Sequence, residues 1–203
     1  MSSLFQTISN QAAALSGIEV LAVVLAIFYL LLAIRQSTWC WPCAVVSTAC
    51  YVYLFFDARL YMESVLNIFY LGMAFYGWYS WSYAGGPEHT LPVKTFTLRI
   101  HLRALLIILA LALGSGYLLA THSEAAYPYI DSLTTWAAIW TTFLVARKAL
   151  ENWWYWLAID AVSVFLYWDR GLQLTSVLFM LYLVMIPFGL VSWTKSYRAQ
   201  VTT

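Results

Sequence analysis

The chain has 203 residues, of which 63% are hydrophobic, 18% aromatic and only 9% charged. A soluble domain carries about 25% charged residues, so this chain has too little polar surface to face water, and lipid is its solvent. A net charge of +1, with no basic stripe and no run of like charges, excludes nucleic acid as a partner.

No Lys or Arg precedes Arg35, and no small-residue cleavage site follows the first apolar run. The amino terminus is therefore not read as a cleaved signal peptide, and the first helix is kept in the mature protein. Crossing about 30 Å of hydrocarbon takes roughly 20 mainly apolar residues. In chain order, seven segments qualify: 17–34, 39–56, 61–81, 100–120, 130–146, 153–168 and 172–193. The predicted fold class is all-α integral membrane, with seven transmembrane helices in a single membrane domain over 1–203. The connections at 35–38, 57–60, 84–99, 121–129, 147–152 and 169–171 are short and hold the turn residues and charges. No soluble domain fits between them, and Gly85-Gly86-Pro87 marks a linker after the third span.

Cytoplasmic loops hold an excess of Lys and Arg. Arg35, Lys94, Arg99, Arg103, Arg147, Lys148, Lys195 and Arg198 fall on one side, and only Arg59 and Arg170 on the other. This asymmetry predicts a cytoplasmic carboxyl terminus and an external amino terminus.

The chain also repeats itself. Shifted by 112 positions, residues 29–81 align with 141–193 without a gap and with 17 identities in 53 pairs. The identities include Arg35 with Arg147, Trp41 with Trp153, Asp57 with Asp169, Ser64 with Ser176, Tyr70 with Tyr182, Gly77 with Gly189 and Trp81 with Trp193. That is several times what accident gives, and internal duplication is a transporter habit. Equivalent helices lie four spans apart, an even number, so both copies point the same way. The expected architecture is 3+1+3: bundles over 17–81 and 129–193, with 100–120 as the extra crossing that restores parity. A substrate site is then expected near the bilayer midplane, between the bundles.

Differences between the copies point to function better than identities, which hold a shared scaffold. Asp160 sits well inside the sixth span, opposite Thr48 in the repeat. A carboxylate at that depth costs about 2.5–3.5 kcal/mol on insertion scales, so it faces a cavity or a partner. It suits a counter-charge for a polar or cationic substrate, or a structural acceptor for a neighbouring hydroxyl or indole. Trp153, Trp156 and Asp160 are spaced three and four apart and share one helix face. Such a face can stack a planar cationic ring, although tryptophans near helix ends also form interfacial belts. Trp41 repeats Trp153, marking Trp153 as partly scaffold, whereas Trp156 aligns with Ala44. Asn67 aligns with Phe179 and offers either a binding amide or an interhelical hydrogen bond; Glu63, one turn earlier, suits a solvated helix end.

Other chemistry is weakly marked. Cys40-Trp41-Pro42-Cys43 has redox spacing, but it opens an apolar helix rather than following a strand, and Cys50 adds no metal set. The last span holds no lysine for a retinal Schiff base, since Lys195 lies beyond it. His89, His101 and His122 are in or near loops, with no HExxH or GxSxG arrangement. No catalytic residue, metal or cofactor is expected.

The run Arg147-Lys148-Ala149-Leu150-Glu151-Asn152-Trp153-Trp154-Tyr155-Trp156-Leu157-Ala158-Ile159-Asp160 resembles the helix 6 signature of PnuC-type transporters, which take up nicotinamide riboside in bacteria. Leu60-Tyr61, Asn67 and Tyr76-Gly77-Trp78-Tyr79-Ser80-Trp81 resemble that family's helix 3, and Asp131-Ser132 the start of its helix 5. The resemblance covers nearly the whole chain. It implies a fold like the sugar-transporting SWEETs in a bacterial inner membrane, and facilitated diffusion of an unphosphorylated vitamin trapped by a cytoplasmic vitamin kinase. Relatives of the same shape carry thiamine, riboflavin or deoxynucleosides. The candidate substrate-binding set is Trp153, Trp156, Asp160, Asn67, Asn152 and Tyr70. Two positions depart from the riboside carriers: Asp160 stands where they have Asn, and Asn67 where they have Gln. Thiamine, an integral membrane enzyme and a non-transporting subunit stay open as alternatives, and so does a homo-oligomer.

Overall fold

The computed structural model of the protein describes residues 2–57, 61–84, 91–123 and 127–202. Arg59, Gly85-Gly86-Pro87 and His89 lie outside the described residues, as does the side chain of Glu63. The described chain is all helical: α1 Ser2–Ala13, α2 Gly17–Ile34, α3 Cys40–Asp57, α4 Tyr61–Tyr83, α5 Leu98–His122, α6 Pro128–Ala146, α7 Asn152–Asp169 and α8 Gln173–Val201. Among these, α2, α3, α5 and α8 are long and apolar enough to cross a membrane. The helices α4, α6 and α7 have 23, 19 and 18 residues and interrupt their apolar runs with polar residues such as Asn67, Thr141 and Asp160.

Helix α1 was not expected, since 12 residues are too short to span. It packs on α8 through Gln11, whose amide donates to the Gly171 carbonyl at 2.9 Å and accepts from the Leu174 N–H at 2.9 Å. That second bond satisfies an orphan donor in the first turn of α8. Helix α2 starts at a capping box legible in Ser16-x-x-Glu19, with Ser16 N–H donating to the Glu19 carboxylate at 2.6 Å. At the other end of the chain, α8 continues to Val201, past the expected stop near Trp193, with Arg198 in its last turn complementing the helix dipole.

The helices α2, α3 and α4 pack in succession, as do α6, α7 and α8. Two seams join these groups, α4 against α6 and α2 against α8, while α5 packs on α6. The duplication is visible bond by bond. Trp81 donates its indole N–H to the Val145 carbonyl at 3.1 Å, and Trp193 donates to the Ala33 carbonyl at 2.9 Å, 112 positions apart at both ends. Ser64 donates to the Val52 carbonyl at 3.0 Å, and Ser176 to the Val164 carbonyl at 2.9 Å. Gly77 lies under the ring of Trp41 and Gly189 under that of Trp153, so close that an added Cβ would meet ring carbons at 2.2 and 2.3 Å. The same four indoles form a chain of edge contacts, Trp41 to Trp81 at 5.3 Å, Trp81 to Trp193 at 5.8 Å and Trp193 to Trp153 at 5.5 Å.

The α2–α3 and α6–α7 turns match too. Gln36 and Lys148 adopt left-handed backbone, φ 56° and 49°. Lys148 is buried and holds its Nζ 4.6 Å from the Trp81 ring. Burial pulls its ammonium down to about 8, a shift that the nearby Cys40 opposes. A strap before α5 closes over this turn. The Lys94 N–H donates to the Lys148 carbonyl at 3.0 Å, the Leu150 N–H to the Lys94 carbonyl at 2.8 Å, and the Phe96 N–H to the Glu151 carboxylate at 2.8 Å. His101, within the first turn of α5, bonds the Tyr155 hydroxyl at 3.0 Å.

Candidate functional site

The helices that diverge between copies enclose one cavity of about 460 Å³, within the 300–1,000 Å³ usual for small-molecule sites. Trp153, Trp156, Asp160, Asn67, Asn152 and Tyr70 all line it. Helix α7 supplies its wall as a stripe at spacings of three and four, running Trp153, Trp156, Asp160, Ser163 and Tyr167. Helix α3 supplies the repeat mates of all five: Trp41, Ala44, Thr48, Tyr51 and Phe55. These two helices line the cavity without packing on each other. Helix α4 adds Asn67, Tyr70 and Ala74, and α8 adds their mates Phe179, Tyr182 and Ile186.

The six candidates are not equivalent. Trp153 is 2% exposed and wedged between Gly189 and Trp193, so its ring is a fixed wall held by the scaffold. Among the described residues its indole N–H, like that of its mate Trp41, has no hydrogen-bond partner. Trp156 is half-buried, with more of its surface free than Trp153. Asn152 is the first residue of α7 and donates its amide to the Ala149 carbonyl at 2.7 Å, which commits it partly to the turn. Asp160 is 4% exposed, and neither ion pair found among the described residues includes it.

Reading the sequence by its divergences missed the tyrosines. Tyr29, Tyr51, Tyr167 and Tyr182 line the cavity with Tyr70, and Tyr167 stacks on Phe179 at 5.2 Å. Extending the three-and-four stripe beyond Asp160 finds Ser163 and Tyr167 directly. Cys40, Cys43 and Cys50 are free thiols.

At one end of the second copy, Arg170 pairs with Asp131 at 2.6 Å, and the Tyr127 hydroxyl donates to Asp169. These contacts tie α6 to the α7–α8 turn, opposite the end that holds the strap and Lys148.

Comparison with known proteins decides the family. The family described as Nicotinamide mononucleotide transporter matches residues 16–195. The chain belongs to the PnuC-type transporter family. The nicotinamide riboside transporter PnuC of Escherichia coli (strain K12) is 22% identical over 91% of this chain and 87% of its own length. The riboflavin/roseoflavin transporter RibM of Streptomyces davaonensis is 25% identical over 84% of this chain and 81% of its own. A crystal structure of the vitamin B3 transporter PnuC superposes with a TM-score of 0.71 at 21% identity, covering 97% of this chain and 90% of that one. The expected PnuC-type membership therefore holds, and this member is a multi-pass membrane transporter rather than an enzyme. Its helices share the PnuC fold.

Proposed function

We propose that the chain takes up a vitamin with a flat cationic ring, foremost nicotinamide riboside, by facilitated diffusion. The guest stacks on Trp156 and Trp153 and makes polar contacts with Asp160, Asn67, Asn152 and Tyr70. A cytoplasmic kinase phosphorylates it after release and so traps it. The observation that carries this reading is that the Trp153 and Trp156 indoles share one cavity with Asp160, the one carboxylate among its described lining residues.

Helices α2 to α8 are the seven spans, in a 3+1+3 arrangement with SWEET-like parallel bundles and α5 as the extra crossing. The matched hydrogen bonds and matched cavity positions of the two copies support it. The basic residues gathered near the strap and the end of α8 face the cytoplasm of a bacterial inner membrane, which leaves the amino terminus outside. Thiamine is the second reading, favoured by Asp160 and its demand for a positive charge. Uptake of labelled nicotinamide riboside, thiamine and riboflavin into proteoliposomes tests both readings. Failure to move any of them down a gradient overturns the proposal.

A further inference from the structure

We infer that Thr134 and Thr142, on one stripe of α6, accept hydrogen bonds from the hydroxyl groups of a guest's sugar, so that the cavity selects a flat ring bearing a sugar over a bare cationic ring. The inference rests on the stacking reading above and deepens it by naming the part of the guest that α6 holds.

Thr134, Ala138 and Thr142 are spaced four apart, line the cavity and share one face of α6. The Thr142 hydroxyl donates to the Ala138 carbonyl at 2.8 Å, and the Thr134 hydroxyl to the Ile130 and Asp131 carbonyls, both at 3.0 Å. A hydroxyl has one hydrogen to give and two lone pairs to receive with. With that hydrogen committed to its own helix, each threonine oxygen is left to accept. The equivalent stripe of the first copy is Ala22, Ala26 and Leu30 on α2, which fills the same place in the scaffold without a hydroxyl. The two hydroxyls therefore belong with Trp156 and Asp160, the other features that one copy has and its mate lacks.

Helices α6 and α7 pack together as an antiparallel pair across the turn at 147–151. Thr142 lies four residues before the end of α6 at Ala146, and Trp156 four after the start of α7 at Asn152, which puts them at a similar depth. By the same count Ala138 is level with Asp160. At about 1.5 Å per residue, Thr142 and Thr134 flank that level by about 6 Å on either side along the helix axis. A ribose on the nitrogen of a ring stacked at Trp156 presents several O–H donors to these oxygens. Thiamine, with a single hydroxyl, leaves acceptors unmet. A buried acceptor without a donor is costly, so a site built this way discriminates against a guest that lacks the hydroxyls.

The test titrates purified protein by tryptophan-fluorescence quenching with nicotinamide riboside and with 1-methylnicotinamide, the same cationic ring with a methyl group in place of the sugar. Thr134→Val and Thr142→Val should each weaken riboside binding about three- to tenfold and leave 1-methylnicotinamide within about twofold of wild type. Thr134→Ser and Thr142→Ser, which keep the hydroxyl, should restore the riboside. Thr141→Val serves as the control, because Thr141 makes the same kind of bond, to the Ala137 carbonyl at 2.7 Å, without lining the cavity. It should change neither ligand. Equal losses for both ligands, or the same riboside loss at Thr141→Val, overturn the sugar contact while the stacking reading stands. So does a wild type that holds 1-methylnicotinamide as tightly as the riboside. A wild type that binds neither ligand overturns the stacking reading and the sugar contact with it. Should a valine variant not fold, wild type titrated with the 2′-deoxy and 3′-deoxy forms of the riboside decides the matter. Weaker binding of either form supports the contact, and undiminished binding of both overturns it.

Discussion

The two copies of the repeat share a skeleton and differ in what that skeleton presents. Gly77 under Trp41 and Gly189 under Trp153 are the same knob in the same hole, and the Trp81 and Trp193 hydrogen bonds cross between halves as equivalents. Around the cavity the equivalence breaks down. Ala44 faces Trp156, Thr48 faces Asp160 and Asn67 faces Phe179 in the repeat. A tight glycine–indole contact tolerates no change of volume, so both copies keep it. A cavity wall is free to diverge, and the α7 side carries a second indole and a carboxylate where the α3 side has Ala44 and Thr48.

The comparison is broken most decisively at Asp160. Removing one partner of a desolvated charge pair costs about 2–5 kcal/mol. Asp160→Ala should weaken binding of a cationic vitamin accordingly in a tryptophan-quenching titration, whereas Thr48→Ala should cost no more than about 1 kcal/mol. Equal losses at the two positions would contradict a one-sided site. The scaffold should behave in the opposite way. Gly77→Ala and Gly189→Ala each drive a Cβ into a buried indole, and overpacking costs about 1–3 kcal/mol. Similar drops in thermal stability in detergent are expected, and a drop in only one copy would argue against a shared skeleton.

A third contrast lies in the matched left-handed turns, where Lys148 answers Gln36. The ammonium of Lys148 sits at about 8, below its ordinary value, because burial penalises the charged form. Between that value and the ordinary one the unfolded chain binds more protons than the folded one, so stability rises with pH across this window. Wild type should gain about 1 kcal/mol over Lys148→Gln between about pH 7.5 and pH 9, read from unfolding temperatures at each pH. Parallel pH profiles would show that Lys148 stays as readily charged as in water. The smallest effect is at the paired serines: Ser64→Ala and Ser176→Ala each remove one interhelical hydrogen bond, about 0.6 kcal/mol on average in membranes. Unequal losses would place different strain on the two α-helical pairs.

Much of this was legible without coordinates. Composition determined that lipid is the solvent, run length located the helices from α2 to α8 within a few residues except at the far end of α8, and the 112-residue offset revealed the duplication, because each depends on local pattern alone. Helix periodicity also put Trp153, Trp156 and Asp160 on one face. What tertiary structure decided was which faces meet. Only packing shows that the stripe of α3 lines the same cavity as the stripe of α7, and that Tyr182 reaches it from α8. Helix α1 and the strap at Lys94 escaped notice for the same reason. Their positions rest on bonds from Gln11 to the α7–α8 turn and from Lys94 to the α6–α7 turn, between residues far apart in the chain, and no local pattern encodes a partner at that distance.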